Sequence, residues 1–254
     1  MSGYSKLTDR KQSVGALQRA VSTCPCLRRL CGLHDMEPPP PSGLHRVMMV
    51  GLGNYQIQTS RCSVGMTAIN IMATKLNVDH KWHFDRRLCG KVTIATRGQH
   101  QIILLKPQQL MKMNGISVSL AANIYQVAPE EIFLFHDQIY IPLGKYIITN
   151  EGQSAREHSG VISCINKMKS DIMPRLMIGI GPPPHRSKRG TLHHILGRFS
   201  KVQQHKVMQV LEQCTNYLLE DLDKVWKPEV DKESGKIASY VPNEGKLSTD
   251  GESS

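Results

Sequence analysis

Residues 46–66 read RVMMVGLGNYQIQTSRCSVGM, and this stretch decides the fold class. It begins with a short apolar run, Arg46–Leu52, that Gly53-Asn54 ends, which is the pattern of a buried strand. From Met66 onward the apolar residues recur at helical spacing, at Ile69, Met72, Ala73 and Leu76. A buried strand that leads into such a helix is the repeating unit of layered α/β proteins. We therefore predict an α/β domain.

The same alternation of strands and helices continues along the chain. Short apolar runs predict further strands at Lys91–Thr96, Gln101–Leu105, Ile132–Phe135, Tyr146–Thr149 and Leu176–Ile180. Helical spacing predicts helices around Val118–Tyr125 and Val161–Met168, and a long final helix over Val207–Leu222. Strands interleaved with helices predict a single layered domain with a mixed central sheet flanked by helices.

The composition of the 254-residue chain excludes some classes of protein. Apolar residues make up 40%, enough for a core, but no run approaches the roughly 18–20 apolar residues that span a bilayer. We therefore expect no membrane span. The cysteines are odd in number, seven in all, and do not suggest a disulfide framework, so we expect a reducing compartment. The net charge of +11 points to a polyanionic partner or surface.

Both termini differ from the middle of the chain, which we predict to be a domain over residues 44–225. Residues 1–43 are rich in serine and basic residues and end near the proline run Pro38–Pro41. This composition is typical of a mitochondrial transit peptide followed by a stiff spacer, and an untargeted flexible extension is the alternative. We expect a mitochondrial location, or otherwise a cytoplasmic one. Residues 226–254 carry excess acid and few large apolar groups, so we predict a disordered acidic tail there.

The N-terminal segment also contains residue types that bind metals. Cys24, Cys26, Cys31 and His34 lie close together, but their spacing matches no common zinc pattern. We predict no metal site in this chain.

Polar residues collect in segments that end or follow predicted strands. Gly53–Ser63 follows the first strand, His136-Asp137 ends a central strand, and Gly152–Gly160 leads into a helix. In α/β sheets, binding sites form at the carboxyl ends of the strands. We therefore expect these segments to converge on one site.

The residues of these segments resemble, in order and spacing, the motifs of the bacterial-type peptidyl-tRNA hydrolases, and the resemblance covers about Val47–Leu222. The first motifs are Gly51–Asn54 with Arg61 and Ser63–Met66, then Lys106-Pro107 with Leu110-Met111 and Asn114-Gly115. The next are Leu134–Asp137 with Pro142–Gly144, then Gly152, Ser154–Arg156, His158 and Gly160-Val161. The last are Pro174–Leu176 with Gly179–Gly181, then Ile195–Gly197 before Phe199-Ser200. The vertebrate members, often assigned to mitochondria, look most similar.

The resemblance implies a fold and an activity. Members are monomeric single-domain α/β proteins with a mixed central sheet, and they need no metal or organic cofactor. They cleave the ester between a peptide and the terminal ribose of tRNA, which recycles tRNA in translation. The partner implied is therefore tRNA or peptidyl-tRNA.

The catalytic positions that the resemblance implies are only partly kept. The family uses a histidine as general base, oriented by an aspartate; here Cys62 occupies the histidine position, Asp137 is retained, and His158 remains nearby. A thiol has a free pKa of about 8.5 and is a poor base at neutral pH. Loss of a general base costs about 10²–10⁴ in rate. We therefore expect impaired hydrolysis, and the alternative is an inactive homologue that binds tRNA or a ribosome-associated partner.

The substrate-binding positions are also mixed. The resemblance places Asn54, Met111 and Asn114 at the substrate, whereas Lys112 and Ser159 replace family asparagines. Lys112 could hold a phosphate or the developing oxyanion, or could block the pocket.

A basic stretch in the second half of the chain suits phosphate contact. His185–Gly190 is predicted to be a loop after the last strand, and Arg186, Lys188 and Arg189 are its candidates for contact with tRNA phosphates. The alternative is a solvated loop without a ligand.

Overall fold

The computed structural model describes residues 36–38, 43–149, 158–185 and 187–223. Seven strands form one sheet: β1 His45–Gly51, β2 His83–Asp85, β3 Gly90–Arg97, β4 His100–Pro107, β5 Ile132–Gln138, β6 Tyr146–Thr149 and β7 Arg175–Gly179. The α-helices are α1 Val64–Lys75, α2 Asn114–Tyr125, α3 Ser159–Met168, α4 Lys188–Leu196 and α5 Lys201–Asp223.

The sheet is mixed, as predicted. Its strand order is β2-β3-β4-β1-β5-β7-β6. The central strand β1 pairs in parallel with β4 and β5, and β5 pairs in parallel with β7. The outer pairs β2–β3, β3–β4 and β6–β7 are antiparallel. The parallel strands β1, β5 and β7 therefore end at the same edge of the sheet.

Helices cover both faces of the sheet, which explains the apolar run of the first strand. Val47 and Met49 of β1 face a core cluster built with α1 and α5. Met48 and Val50 face the opposite cluster, built with α2 and α3. A strand buried on both faces reads as a continuous apolar run rather than as an alternating one.

Two elements differ from the prediction. β2 is a short edge strand that was not predicted, and the predicted loop His185–Gly190 is wrong at its end because α4 already begins at Lys188. α4 has no buried residue; its apolar residues Leu192, Ile195 and Leu196 recur at helical spacing, but three residues that are exposed or half-buried are too few to predict a helix. Its start is fixed by Ser187 instead, whose hydroxyl oxygen accepts the amide hydrogen of Gly190 at 3.0 Å.

A short piece of the N-terminal segment contacts the domain. The backbone N–H of Glu37 donates to the carbonyl of Ile124 at 2.9 Å, and its carboxylate lies 3.2 Å from Arg87. The predicted transit peptide, the Cys24, Cys26, Cys31 and His34 cluster and the predicted acidic tail lie outside the described residues. The boundaries 44 and 225 therefore stay predictions. Among the helices that the structure describes, none has the length and apolarity needed to cross a bilayer.

Candidate active site

The three polar segments meet at the carboxyl edge of the sheet. Asp137 is the penultimate residue of β5, and His158 is the residue that caps the start of α3. Cys62 lies in a one-turn 3-10 helix, Arg61–Ser63, directly before α1. The Asp137 carboxylate is close enough to act on the thiol of Cys62 and is hydrogen-bonded to His158. The structure therefore brings together the three residues predicted to be catalytic.

A close contact between α1 and β5 sets this arrangement. A Cβ on Gly65 would lie 2.2 Å from the carbonyl oxygen of Phe135, so only glycine allows this approach. The same carbonyl accepts the amide hydrogen of Leu52 at 2.9 Å. The start of α1 is thus held against the end of β5, and the turn that carries Cys62 lies beside Asp137.

Asp137 and His158 form a buried pair. The Nε2 of His158 lies 3.0 Å from Oδ1 of Asp137, and the two side chains are only 9% and 7% exposed. The other ring nitrogen, Nδ1, accepts the backbone N–H of Val161 at 3.2 Å and caps α3. Because Nδ1 accepts, the proton of the neutral ring lies on Nε2 and is donated to Asp137.

A second histidine lies beneath this pair. The Nδ1 of His136 lies 2.8 Å from the backbone carbonyl of Asp137, and its ring is 4.6 Å from the ring of His158. Burial, helped by the nearby His158, lowers the pKa of His136 to about 3. His136 is therefore neutral at neutral pH, donates from Nδ1 to the carbonyl and holds the end of β5.

The thiol of Cys62 is held in its protonated form. Burial raises its pKa, and the charge of Asp137 raises it further, against hydrogen bonds from Ser60 and Ser63 that lower it. The Sγ atom lies 3.1 Å from Oγ of Ser60, whose own proton goes to the carbonyl of Ile57 at 2.6 Å. With its pKa raised, the thiol is mostly protonated at neutral pH and is a poor proton acceptor.

The two retained asparagines differ in what their side chains are free to do. Asn54 is half-buried; its Oδ1 accepts the N–H of Gln56 at 3.2 Å. Asn114 is fully buried, and its Oδ1 accepts the N–H of Gly53 at 3.0 Å. Its Nδ2 donates to the carbonyls of Gln109 and Leu110 at 3.2 and 3.1 Å. Asn114 thus ties the loop after β1 to the segment before α2, and contact with a substrate would require breaking these bonds.

Comparison with known proteins now decides the family. A family profile described as peptidyl-tRNA hydrolase matches residues 48–239, well over half of the chain. This chain belongs to the peptidyl-tRNA hydrolase family. It is 40% identical over 177 residues to a mouse protein named "Probable peptidyl-tRNA hydrolase", covering 70% of this chain and 85% of that protein. It is 31% identical over 191 residues to a Clostridium perfringens peptidyl-tRNA hydrolase, covering 74% of this chain and 97% of that protein.

Solved structures show the same fold. The crystal structure of peptidyl-tRNA hydrolase from Acinetobacter baumannii superposes with a TM-score of 0.62 at 24% identity, covering 72% of this chain and 92% of that one. A peptidyl-tRNA hydrolase solved in complex with N-propanol gives a TM-score of 0.60 at 25% identity, covering 69% and 86%. The predicted peptidyl-tRNA hydrolase-like α/β fold is therefore confirmed.

The remaining residues that are predicted to bind the substrate lie close to His158. Met111 belongs to the 3-10 turn Met111–Met113, and a Cβ on Gly160 would meet its sulfur at 2.7 Å. Lys112 follows on the same turn with an exposed side chain, and Ser159 is the half-buried first residue of α3. Their predicted contacts with substrate stay predictions.

The residues predicted to contact tRNA phosphates lie on or before α4. Arg186 falls outside the described residues, whereas Lys188 and Arg189 are exposed in the first turn of α4. α4 is joined to the turn of Cys62 through Arg61, which donates to the carbonyl of His194 at 3.1 Å. The Arg61 side chain therefore connects the helix that carries Lys188 and Arg189 to the turn that carries Cys62.

Two further features bear on ligands. A cavity of about 340 Å³ is lined by residues 55–60 with Leu196 and Arg198, and no predicted catalytic residue of the peptidyl-tRNA hydrolase site lines it. Within the ranges that the structure describes, no three His, Cys, Asp or Glu side chains are placed to share a metal ion.

Sequence reasoning missed two residues that shape the site. His136 supports Asp137 from its own strand, and the neighbouring HD pair was the only signal for it. Ser60 lies 3.1 Å from the sulfur of Cys62, and a serine two residues away in a loop gives no signal of such a contact. Both roles depend on side-chain directions that only the fold sets.

Proposed function

We propose that this chain binds peptidyl-tRNA and hydrolyses the ester between peptide and ribose at least about 100-fold more slowly than a family member with histidine at the position of Cys62. The observation that carries this proposal is the protonated, buried thiol of Cys62 beside the Asp137–His158 pair.

Membership of the family supports the substrate. The mouse and Clostridium perfringens relatives are named for peptidyl-tRNA hydrolysis, and most of their length is covered. The half-buried Asn54 supports it further, because its Nδ2 donates to no group among the described residues and could bind ribose or peptide.

The expected slow rate follows from the lack of a good proton acceptor at position 62. A neutral imidazole, with a pKa of about 6.5, can take a proton from water at neutral pH. The thiol of Cys62 has its pKa raised by burial, so the thiolate that could act as a base is scarce. No substitute imidazole is available, because both ring nitrogens of His158 are already hydrogen-bonded.

The same observation favours a second candidate. A site in which both ring nitrogens of His158 are already hydrogen-bonded suits a homologue that binds tRNA or a ribosome-associated partner without hydrolysis. The two candidates share the substrate and differ only in turnover.

Recognition of tRNA would rest on the basic charge of the domain. Lys188 and Arg189 are exposed cations suited to phosphate contact, and Arg186 belongs to the same proposal. We also propose that the protein is a monomer and is located in mitochondria. The proposed location rests on the composition of residues 1–43. Size-exclusion chromatography with light scattering, and imaging of a fusion that carries the native N-terminus, test these two points.

The proposal is tested with the full chain and a labelled N-blocked aminoacyl-tRNA. Release of the label is measured under single-turnover conditions beside a family member that has histidine at this position, and binding is measured at several salt concentrations. We expect salt-dependent binding with slow release. Release at the rate of the histidine enzyme would overturn the proposed impairment, whereas absence of binding would overturn the substrate. Binding with no release at all would establish the second candidate.

A further inference from the structure

Among the described residues, the candidate site holds few groups that could take a proton from an attacking water. Burial raises the pKa of Cys62, so its thiol is mostly protonated at neutral pH. The ring of His136 is only 1% exposed, and its Nε2, which has no hydrogen-bond partner among the described residues, is buried away from solvent. These two groups therefore cannot take a proton from an attacking water.

His158 cannot take it either. A neutral imidazole has one N–H and one lone pair. The lone pair on Nδ1 accepts the N–H of Val161 at 3.2 Å, and the N–H on Nε2 points at Asp137 at 3.0 Å. To act as a base, His158 would have to give up the cap of α3. In this geometry its ring is a hydrogen-bond donor to the carboxylate.

Asp137 is the remaining candidate for the group that takes the proton. Its Oδ1 receives the Nε2–H of His158, whereas its Oδ2 accepts no hydrogen bond from any residue in the described ranges. The Asp137 side chain is 7% exposed. Its negative charge acts on the thiol of Cys62.

We infer that Asp137 is the general base of this protein and that His158 is the positioning residue that orients it through Nε2–H. This inference rests on the proposed function and assigns its residual hydrolysis to one atom. The roles that the resemblance implied, a histidine base oriented by a carboxylate, are exchanged.

The step balances without any further reactant. Water attacks the carbonyl carbon of the ester while Oδ2 of Asp137 takes one of its protons, which gives a tetrahedral oxyanion and a carboxylic acid. The bond from the carbonyl carbon to the ribose oxygen then breaks, and that oxygen takes the proton back from Asp137. The products are the peptide acid, which releases its proton to solvent, and tRNA with a free hydroxyl.

Two conservative variants separate the roles. Asp137→Asn keeps an oxygen that accepts the Nε2–H of His158 but removes the base, so we expect single-turnover hydrolysis to fall at least about 100-fold. His158→Gln keeps an Nε2–H donor but has no basic nitrogen, so we expect a smaller loss than in Asp137→Asn. His158→Leu removes the donor, so we expect a larger loss than in His158→Gln, which keeps it. The matched controls are Asp79→Asn and His80→Gln, both at exposed positions.

The pH profile supplies a readout that a purely structural role would not change. The titratable and charged groups around Asp137 are Cys62 from the turn before α1, His158 from α3 and His136 from β5, and Arg175 of β7 acts on His136 through its charge. Since the pKa of Cys62 is raised and that of His136 lies at about 3, neither group titrates near neutral pH. We therefore expect neither group to give an inflection of the rate there.

Each contrary result overturns the inference. A rate that is lost in His158→Gln but kept in Asp137→Asn would make His158 the base. A rate unchanged in Asp137→Asn would remove Asp137 from the reaction, and so would wild-type protein that binds peptidyl-tRNA without any turnover. All three outcomes leave binding intact, so they are distinguishable from failure of the proposed function, in which binding itself is absent. Thermal unfolding of each variant identifies those that do not fold.

Discussion

At the scale of single residues, the thiol at position 62 decides the proton chemistry that we propose for the site. A thiol at position 62 is smaller than imidazole and holds its proton, and its buried surroundings strengthen that tendency. Desolvation disfavours the charged form of any acid, and a carboxylate such as Asp137 nearby disfavours a second anion. The retained histidine does not compensate, because its two nitrogens serve α3 and Asp137.

Restoring the imidazole should therefore restore catalysis. We expect Cys62→His to raise single-turnover hydrolysis of N-blocked aminoacyl-tRNA by about 10²–10⁴, the usual value of a general base. Cys62→Ser is the matched control, since a hydroxyl of similar size is no better a base and should give no increase. A histidine variant that folds, binds tRNA and stays as slow as the wild type would place the defect elsewhere, for example at Lys112.

Buried His136 makes stability depend on pH. Its folded-state pKa of about 3 lies below the value of about 6.5 of an unfolded histidine, so the unfolded chain binds this proton first. Its contribution is complete above about pH 6.5 and is lost as the pH falls toward 3, at about 1.4 kcal/mol per pH unit.

His136→Asn tests this dependence of stability on pH, because the Nδ2 of asparagine keeps a hydrogen-bond donor near the position of the histidine Nδ1. The free energy of unfolding in urea, measured from pH 7 down to 4, should fall less steeply in the variant than in the wild type. His80→Asn, at an exposed position, should follow the wild type. Parallel slopes for wild type and His136→Asn would contradict a buried neutral histidine.

At the scale of elements, the site is made where secondary structure begins or ends. Asp137 stands near the end of β5, Cys62 precedes α1, and His158 caps α3. A helix cap and a strand end are fixed by backbone hydrogen bonds, so the side chains on them have little freedom. Close packing of α1 on β5 then decides how near Cys62 and Asp137 come.

Gly65 allows α1 to pack this closely on β5. Replacement of a helical glycine by alanine normally adds helix stability, by up to about 1 kcal/mol. At Gly65 the new Cβ would lie 2.2 Å from the carbonyl oxygen of Phe135, a backbone atom that cannot turn away. We expect Gly65→Ala to lower the free energy of unfolding in urea by about 1–3 kcal/mol despite the gain in propensity.

Thr67→Ala is the control for this prediction, since Thr67 is a half-buried residue of the same helix. It should change the free energy of unfolding by no more than about 0.5 kcal/mol. A Gly65→Ala protein as stable as the wild type would mean that α1 can move away from β5, and the geometry of the site would then not depend on this contact.

At the scale of the whole molecule, charge is unevenly distributed along the chain. The net charge of +11 is formed by a basic middle segment and is partly offset by an acidic end. Lys188 and Arg189 of α4 lie at the positive end of a helix dipole, where cations are unfavourable by about 0.3–1 kcal/mol. Their removal should therefore not destabilise the fold, which makes them clean probes of tRNA binding.

We expect the double variant Lys188→Ala and Arg189→Ala to bind tRNA more weakly and with a smaller salt dependence. For every phosphate that the variant no longer neutralises, the slope of log K against log salt should decrease by about 0.7–0.9. Filter binding or fluorescence anisotropy at several salt concentrations measures the slope. Alanine at both Lys81 and Lys91, near the opposite edge of the sheet, is the control. An unchanged slope in the α4 variant would remove α4 from the tRNA interface.

The sequence by itself determined the class of fold and the family. The continuous apolar run of β1, the spacing of the α1 residues and the later strands and helices all appear in the structure, because local periodicity reports burial directly. The ordered motifs then pointed to the family that the comparisons show. α4 was not predicted, because its apolar residues are few and none of them is buried.

Only the tertiary structure decided what the site residues can do. The sequence placed Cys62, Asp137 and His158 at catalytic positions, but they lie far apart in the chain, and their hydrogen bonds depend on how α1, β5 and α3 pack. The same is true of Asn114, whose amide is bonded to Gly53, Gln109 and Leu110; its predicted contact with substrate stays a prediction. Proton affinity and free lone pairs are set by burial and by partners distant in sequence, and these exist only once the chain is folded.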